Sequence, residues 1–176
     1  MADNGPIVDY LLDPLLDDKL KAGLIELWCD VVNDGGAVGF VPPVTTDDVR
    51  EIADVAFRRV DIAEDHLVVA LIADEPVGMV FLEQRPGPLF RHWATVKRLQ
   101  VHPSLQGKGI GKNLIEATHH LARGIGLERL HVAVRSGTGT ESFYGNHGYE
   151  LVTRIPGVIR VGPGEDRDEL HMMTRL

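Results

Sequence analysis

The stretch of this chain best equipped for chemistry is Val101-His102-Pro103-Ser104-Leu105-Gln106-Gly107-Lys108-Gly109-Ile110-Gly111-Lys112. A strand-like apolar run enters it and an amphipathic, helix-like run leaves it. A helix start exposes unpaired N–H groups and carries partial positive charge, so a glycine-rich turn at that place suits a phosphate or pyrophosphate. Glycine also removes the Cβ atoms that would hold phosphate oxygens off the backbone. Lys108 and Lys112 add charge at the rim. A plain strand-to-helix turn would use the same glycines for their dihedral angles alone, and the spacing leaves both readings open. Two better-known phosphate loops are excluded. A dinucleotide fingerprint requires its third glycine where Lys112 stands, and a P-loop requires glycine at Gln106 and Ser or Thr at Asn113.

The other reactive side chains read as structural. Cys29, beside Trp28, is expected to be a buried thiol. His119 and His120 are adjacent on a helical run and point about 100° apart, which is poor for holding one metal. No His-Glu-x-x-His occurs, so no metal is expected. Ser136 and Ser142 lack a nucleophile-elbow context. Asp166 to Glu169 reads as a solvated charge cluster, and His147 as a helix-end residue.

Elements must hold these residues. Pro6 to Leu12 is expected as a first strand. Leu16, Leu20, Leu24, Leu27 and Val31 mark one face of a helix ending at Gly35-Gly36. Thr45 and Asp48 form a capping box for a second helix, with Val49, Ile52, Ala53, Ala56 and Val60 as its apolar face. His66 to Ala73 and Val77 to Glu83 form a hairpin across Asp74-Glu75-Pro76, and a fourth strand runs from about Ala94 to Val101. The third helix follows the glycine turn, with Ile110, Leu114, Ala117 and Leu121 on one face. Arg129 to Val134 is a strand. A short helix around Thr140 to Asn146 is expected to be boxed by Thr138 and Glu141 and stopped at Gly148. Tyr149 to Ile155 and Glu169 to Arg175 are the last strands, with Gly162 to Asp168 as a mobile hairpin tip. The order implies an α/β (α+β) sandwich, a mixed, mostly antiparallel sheet of about seven strands flanked by about four helices.

Composition narrows the function classes. The chain has 176 residues, a hydrophobic fraction of 44% and a formal net charge of -8. One domain spanning 1–176 is expected. The acidic balance argues against an unaided grip on nucleic-acid phosphates. A single cysteine excludes an internal disulfide and fits a reducing cytoplasm. No apolar run approaches the roughly 20 residues that span a bilayer, so a soluble protein is expected, with no membrane partner.

Gln106, Gly109 and Gly111 form a Gln-x-x-Gly-x-Gly pattern behind Leu99-Gln100-Val101-His102-Pro103. Together with Phe143-Tyr144-Gly145-Asn146-His147-Gly148-Tyr149, this resembles the GNAT superfamily of N-acetyltransferases. The likeness places an acetyl-CoA motif at about 96–123 and a Tyr-containing motif at about 129–155. Gly35-Gly36-Ala37-Val38-Gly39-Phe40, Val96-Lys97-Arg98-Leu99 and Ile155-Pro156-Gly157 further resemble the group that includes the tabtoxin-resistance acetyltransferase. Gly35-Gly36 also reads as a simple helix C-cap.

The resemblance implies acetyl transfer from acetyl-CoA to an amine. Backbone groups of Leu99, Gln100 and Val101 would hold the pantetheine arm. The turn formed by Gln106, Gly107, Lys108, Gly109, Ile110, Gly111 and Lys112 would hold the pyrophosphate. Tyr144 would serve as general acid toward the leaving thiolate. The acids that the group often carries are replaced by Thr95 in the fourth strand and Ala133 in the fifth. Glu83 and His92 are the nearest base candidates, with a water relay as the alternative. The expected acceptor is a small-molecule amine, for instance a toxin or antibiotic, with pocket walls from the N-terminal half and a Pro156 to Asp168 loop. The alternatives are a non-catalytic acyl-CoA-binding module and a protein lysine or N-terminal acetyltransferase. Homodimers are common in the superfamily, and the sequence does not decide the oligomeric state.

Overall fold

A computed structural model describes residues 7–176. Its strands are β1 (Asp9–Leu12), β2 (Asp65–Ile72), β3 (Glu75–Gln84), β4 (Trp93–Val101), β5 (Arg129–Arg135), β6 (Glu150–Gly162) and β7 (Glu165–Arg175). Its helices are α1 (Asp18–Asn33), α2 (Thr46–Asp61), α3 (Ile110–Gly124) and the short α4 (Thr140–Gly145). The seven strands form one sheet in the order β1-β2-β3-β4-β5-β7-β6. Among the described residues, only the β4–β5 pair is parallel. The expected start of the first strand at Pro6 lies outside the described residues.

Both faces of the inner strands are covered, which is why β2 reads as an unbroken apolar run. Leu67, Val69 and Leu71 pack with Met79 and Phe81 under α1 and α2, while Val68 and Ala70 point to the α3 side with Val80, Leu82, Ala94 and Val96. α3 comes close to the sheet at Gly78, where a Cβ would meet Leu114 Cδ1 at 2.9 Å and the Gln100 carbonyl at 3.1 Å. Among the described residues, no helix is long and apolar enough to cross a membrane.

The Thr45–Asp48 capping box is present. Elsewhere the structure corrects the sequence. On α2, Phe57 is buried and Ile52 is exposed, because the stripe runs through Val49, Ala53, Ala56 and Phe57. On α3 the buried face is Ile110, Leu114, Ile115, Thr118 and Ala122, so Ala117 and Leu121 sit at its edges. Thr118 tolerates burial because its hydroxyl donates to the Leu114 carbonyl at 2.8 Å. The Thr138–Glu141 box does not form. Gly139 is the N-cap of α4, and the Thr138 hydroxyl donates instead to the Arg135 carbonyl at 2.9 Å. The expected Pro156 to Asp168 loop is mostly strand. β6 and β7 pair almost to their turn, and a bulge between Ile155 and Ile159 absorbs Pro156-Gly157 on the edge strand, where a missing N–H costs little.

Candidate active site

The site begins where the sheet comes apart. β4 and β5 pair only at Trp93–Arg129, Ala94–Leu130 and Thr95–His131. Beyond that vertex the strands diverge. On the other side of β4 the register against β3 slips between Phe81–Lys97 and Met79–Gln100, and Arg98 takes φ 54°. A left-handed conformation is costly for a side chain with a Cβ. Arg98 is held in place by its ion pair to Glu83 at 2.9 Å and by its guanidinium packing over the Trp28 and Phe81 rings.

Two cavities meet at this splay. The larger, about 680 Å³, is lined by Leu99, Gln100, Val101, Gln106, Gly107, Gly109, Gly111, Lys112, Phe143, Tyr144 and residues Gly35 to Val38. The smaller, about 290 Å³, is lined by Thr95, Lys97, Arg98, Ala133, Arg135 and Glu169. Ala37, Val38, Leu99, Thr140 and Tyr144 line both. The loop carrying Val38 is tied down by Trp28, whose indole N–H donates to the Val38 carbonyl at 2.9 Å. Asn33 secures the far end of the same loop, with two 2.9 Å bonds to the backbone of Val44.

The glycine turn fits a pyrophosphate group. Gly109 is the N-cap of α3, no side chain caps that helix, and the first helical bond runs from Asn113 N–H to the Gly109 carbonyl. The N–H groups of Ile110, Gly111 and Lys112 therefore precede the helical ladder. Gly107 and Gly109 have φ of 75° and 85°, and nothing lies within 4 Å of where their Cβ atoms would sit. Two of the expected residues are placed differently. Ile110 turns its side chain into the core, and Lys108 is exposed outside the cavity lining. Gln106 closes the turn by donating its amide to the Val101 carbonyl at 3.1 Å. Gln100 lines the cavity with a buried amide that has no partner among the described residues.

Tyr144 is buried, with its ring edge-on to Phe143 and Tyr149. Burial pushes its pKa well above the ordinary phenol value, so it stays a neutral donor. The two base candidates have other surroundings. Glu83 is paired with both Lys97, at 2.7 Å, and Arg98. His92 is exposed, lines neither cavity, and offers its carbonyl to the backbone of Glu128 and Arg129.

Sequence reasoning missed a set of residues beside the smaller cavity. Thr95 Oγ1 lies 3.2 Å from His131 Nδ1, His131 Nε2 lies 2.9 Å from His171 Nδ1, and His171 Nε2 lies 2.8 Å from Glu169 Oε1. Glu169 is thus half-buried and bonded, and does not belong to a solvated cluster as its neighbours suggested. A sequence signal existed. His131 alternates with the buried Leu130 and Val132, and Glu169 and His171 flank the buried Leu170.

A family model described as an acetyltransferase (GNAT) domain matches residues 63–151, just over half of the chain. The chain belongs to the GNAT acetyltransferase family. Three solved structures illustrate its fold. The yncA protein of Salmonella typhimurium, solved with acetyl-CoA, is 20% identical, with 95% of this chain and 94% of that one covered at a TM-score of 0.74. The ribosomal-protein-alanine N-acetyltransferase of Brucella melitensis is 18% identical, with 97% and 99% covered at 0.75. A candidate phosphinothricin N-acetyltransferase is also 18% identical, with 96% and 99% covered at 0.77. The fold is common to proteins described by a protein acceptor and by a small-molecule one, so it does not choose between acceptors.

Proposed function

We propose that the chain transfers an acetyl group from acetyl-CoA to the primary amine of a small molecule, as a single domain related to the tabtoxin-resistance group. The observation that carries this reading is the meeting of the two cavities at Tyr144. One has the strand edge, glycine turn and uncapped helix start that suit a pantetheine pyrophosphate. The other, at about 290 Å³, has the dimensions of a small-molecule site. The loop from Gly35 to Gly39, part of the segment that resembles the tabtoxin-resistance group, lines the larger cavity with Gly35 to Val38 and contributes Ala37, Val38 and Gly39 to the smaller.

In this reading the backbone of Leu99, Gln100 and Val101, on the parted edge of β4, holds the pantetheine arm, and an N–H there polarises the thioester carbonyl. The N–H groups of Gly107 to Lys112 hold the pyrophosphate, with Lys112 at the rim. Tyr144, kept neutral by burial, donates a hydrogen bond to the sulfur as negative charge builds on it, which is its general-acid role toward the leaving thiolate. Glu83, ion-paired with Lys97 and Arg98, shapes the charge of the acceptor side, and His92 stands on the rim.

Thiol release from acetyl-CoA, measured against amino acids, polyamines, aminoglycosides and lysine- or alanine-terminated peptides, tests the proposal. Release with one or more small amines is expected. Release with peptides alone would replace the small-molecule acceptor with a protein one. No release, alongside tight acetyl-CoA binding, would reduce the chain to a binding module.

A further inference from the structure

An acceptor amine that arrives as ammonium must lose a proton before its lone pair can attack, and the two acids that the related group often carries are Thr95 and Ala133 here. We infer that Thr95, His131, His171 and Glu169 form a directional proton relay that carries this proton from the strand vertex to the partly exposed Glu169. The inference rests on the acetyl-transfer reading and supplies the base that it lacks.

The direction follows from hydrogen-bond chemistry. A carboxylate only accepts, so the Nε2 of His171 must carry a hydrogen and donate it to Glu169. Neutral His171 then has a bare Nδ1, which accepts from the Nε2–H of His131. Neutral His131 in turn has a bare Nδ1, which accepts from the Thr95 hydroxyl. That leaves Thr95 Oγ1 with lone pairs free at the vertex of the splay, on the wall of the smaller cavity. Each link has one donor and one acceptor, and none is left over.

The transfer balances. The ammonium N–H gives its proton to Thr95 Oγ1, the Thr95 hydroxyl proton passes to His131 Nδ1, the Nε2 proton of His131 passes to His171 Nδ1, and the Nε2 proton of His171 passes to Glu169. The amine is left with its lone pair, Thr95 is a hydroxyl again, both imidazoles are neutral in the opposite tautomer, and Glu169 is a carboxylic acid. Glu169 lines the cavity and its side chain is 33% exposed, so it returns the proton to solvent, and His171, 26% exposed, resets by exchange with water.

The surroundings favour passage over storage. His131 faces His171 and Glu169 on β7, Lys97 on β4 and Arg85 from the β3–β4 connection, with Trp93 edge-on at 5.9 Å. Burial above all holds its pKa down to about 4, so no imidazolium accumulates there. Opposite His171 on β6 stands the uncharged Thr153, and Arg135 lies across from Glu169. Glu83, which pairs with Thr95 across β3 and β4, is occupied by Lys97 and Arg98.

The test compares benzylamine, an ammonium at neutral pH, with aniline, which is already neutral. Wild type, Thr95→Val and Glu169→Gln are assayed for thiol release from pH 6 to pH 10. Both substitutions preserve shape, and melting curves confirm the fold. With benzylamine at neutral pH, both variants should lose roughly 10²-fold in turnover and regain most of it at high pH, whereas with aniline they should match wild type. Nitrogen-15 spectra of the histidines, which need no turnover, should show His131 and His171 as Nε2–H tautomers. The opposite tautomer in either ring, or benzylamine profiles unchanged in both variants, would overturn the relay and leave acetyl transfer standing. A wild type that releases no thiol with any amine would remove the acetyl-transfer reading and the relay with it.

Discussion

The two cavities are built by different means. The larger is made of backbone. Its glycine turn, uncapped helix start and parted strand edge offer N–H and C=O groups, and its side chains mostly supply apolar walls. The smaller is made of side chains, with Lys97, Arg98, Arg135, Glu169 and Thr95 on its lining and two histidines behind it. Backbone recognition suits a ligand that never changes. Side-chain recognition lets the same scaffold change its ligand through a few substitutions on half-buried strand faces.

Substitutions on either side should therefore fail differently. The largest effect is expected at Gly109, where φ is 85° and an open space lies where a Cβ would go. Acetyl-CoA should raise the melting temperature of the wild type, and Gly109→Asp, which puts a carboxylate against the helix start and strains the N-cap, should abolish that rise. A folded Gly109→Asp protein with an undiminished shift would break the backbone account of the larger cavity. Tyr144→Phe comes next, since Tyr144 borders both cavities. Turnover should drop by roughly 10²-fold while the acetyl-CoA thermal shift stays put. A lost shift with normal chemistry would place Tyr144 on the binding side of the comparison.

The smallest effect concerns stability. His119, bonded to Tyr149 on the α3 side, and His131, beside the smaller cavity, both have pKa values held down to about 4, in each case first by burial. Unfolded, each would bind its proton near 6.5, so the unfolded chain takes up more protons below that pH. Stability should be flat above about pH 6.5 and decline as pH falls toward 4. Thermal melts across this window should flatten in part for His119→Gln and for His131→Gln. If only one variant flattens, only that side of the sheet buries a neutral imidazole.

The contrast also explains what could be read from the sequence. The glycine turn, Tyr144 and the seven-strand, four-helix order are each written in contiguous residues, so spacing and resemblance located them. The splay is not written locally. It depends on a slipped register at Arg98, a non-glycine residue at positive φ, which no turn signal marks. His131 and His171 come from strands 40 positions apart and become neighbours only through the β5–β7 register. Glu169 was hidden among the charges around it, and Pro156-Gly157 read as loop because an edge-strand bulge tolerates what a central strand rejects.

The three-pair ladder between β4 and β5 has a mechanical consequence. The sheet is two smaller sheets, β1 to β4 and β5 with β7 and β6, joined by a short seam and backed by the α3 side chains Leu114 and Ile115. Past the seam, the facing edges of the strands have no sheet neighbour. A molecule lying between them, bonded to both edges, would act as a splice, carrying load that the protein's own backbone does not. Local opening of the β5–β7–β6 piece would then become dearer in proportion to occupancy, so the C-terminal third of the chain should exchange its amide hydrogens more slowly when that gap is bridged.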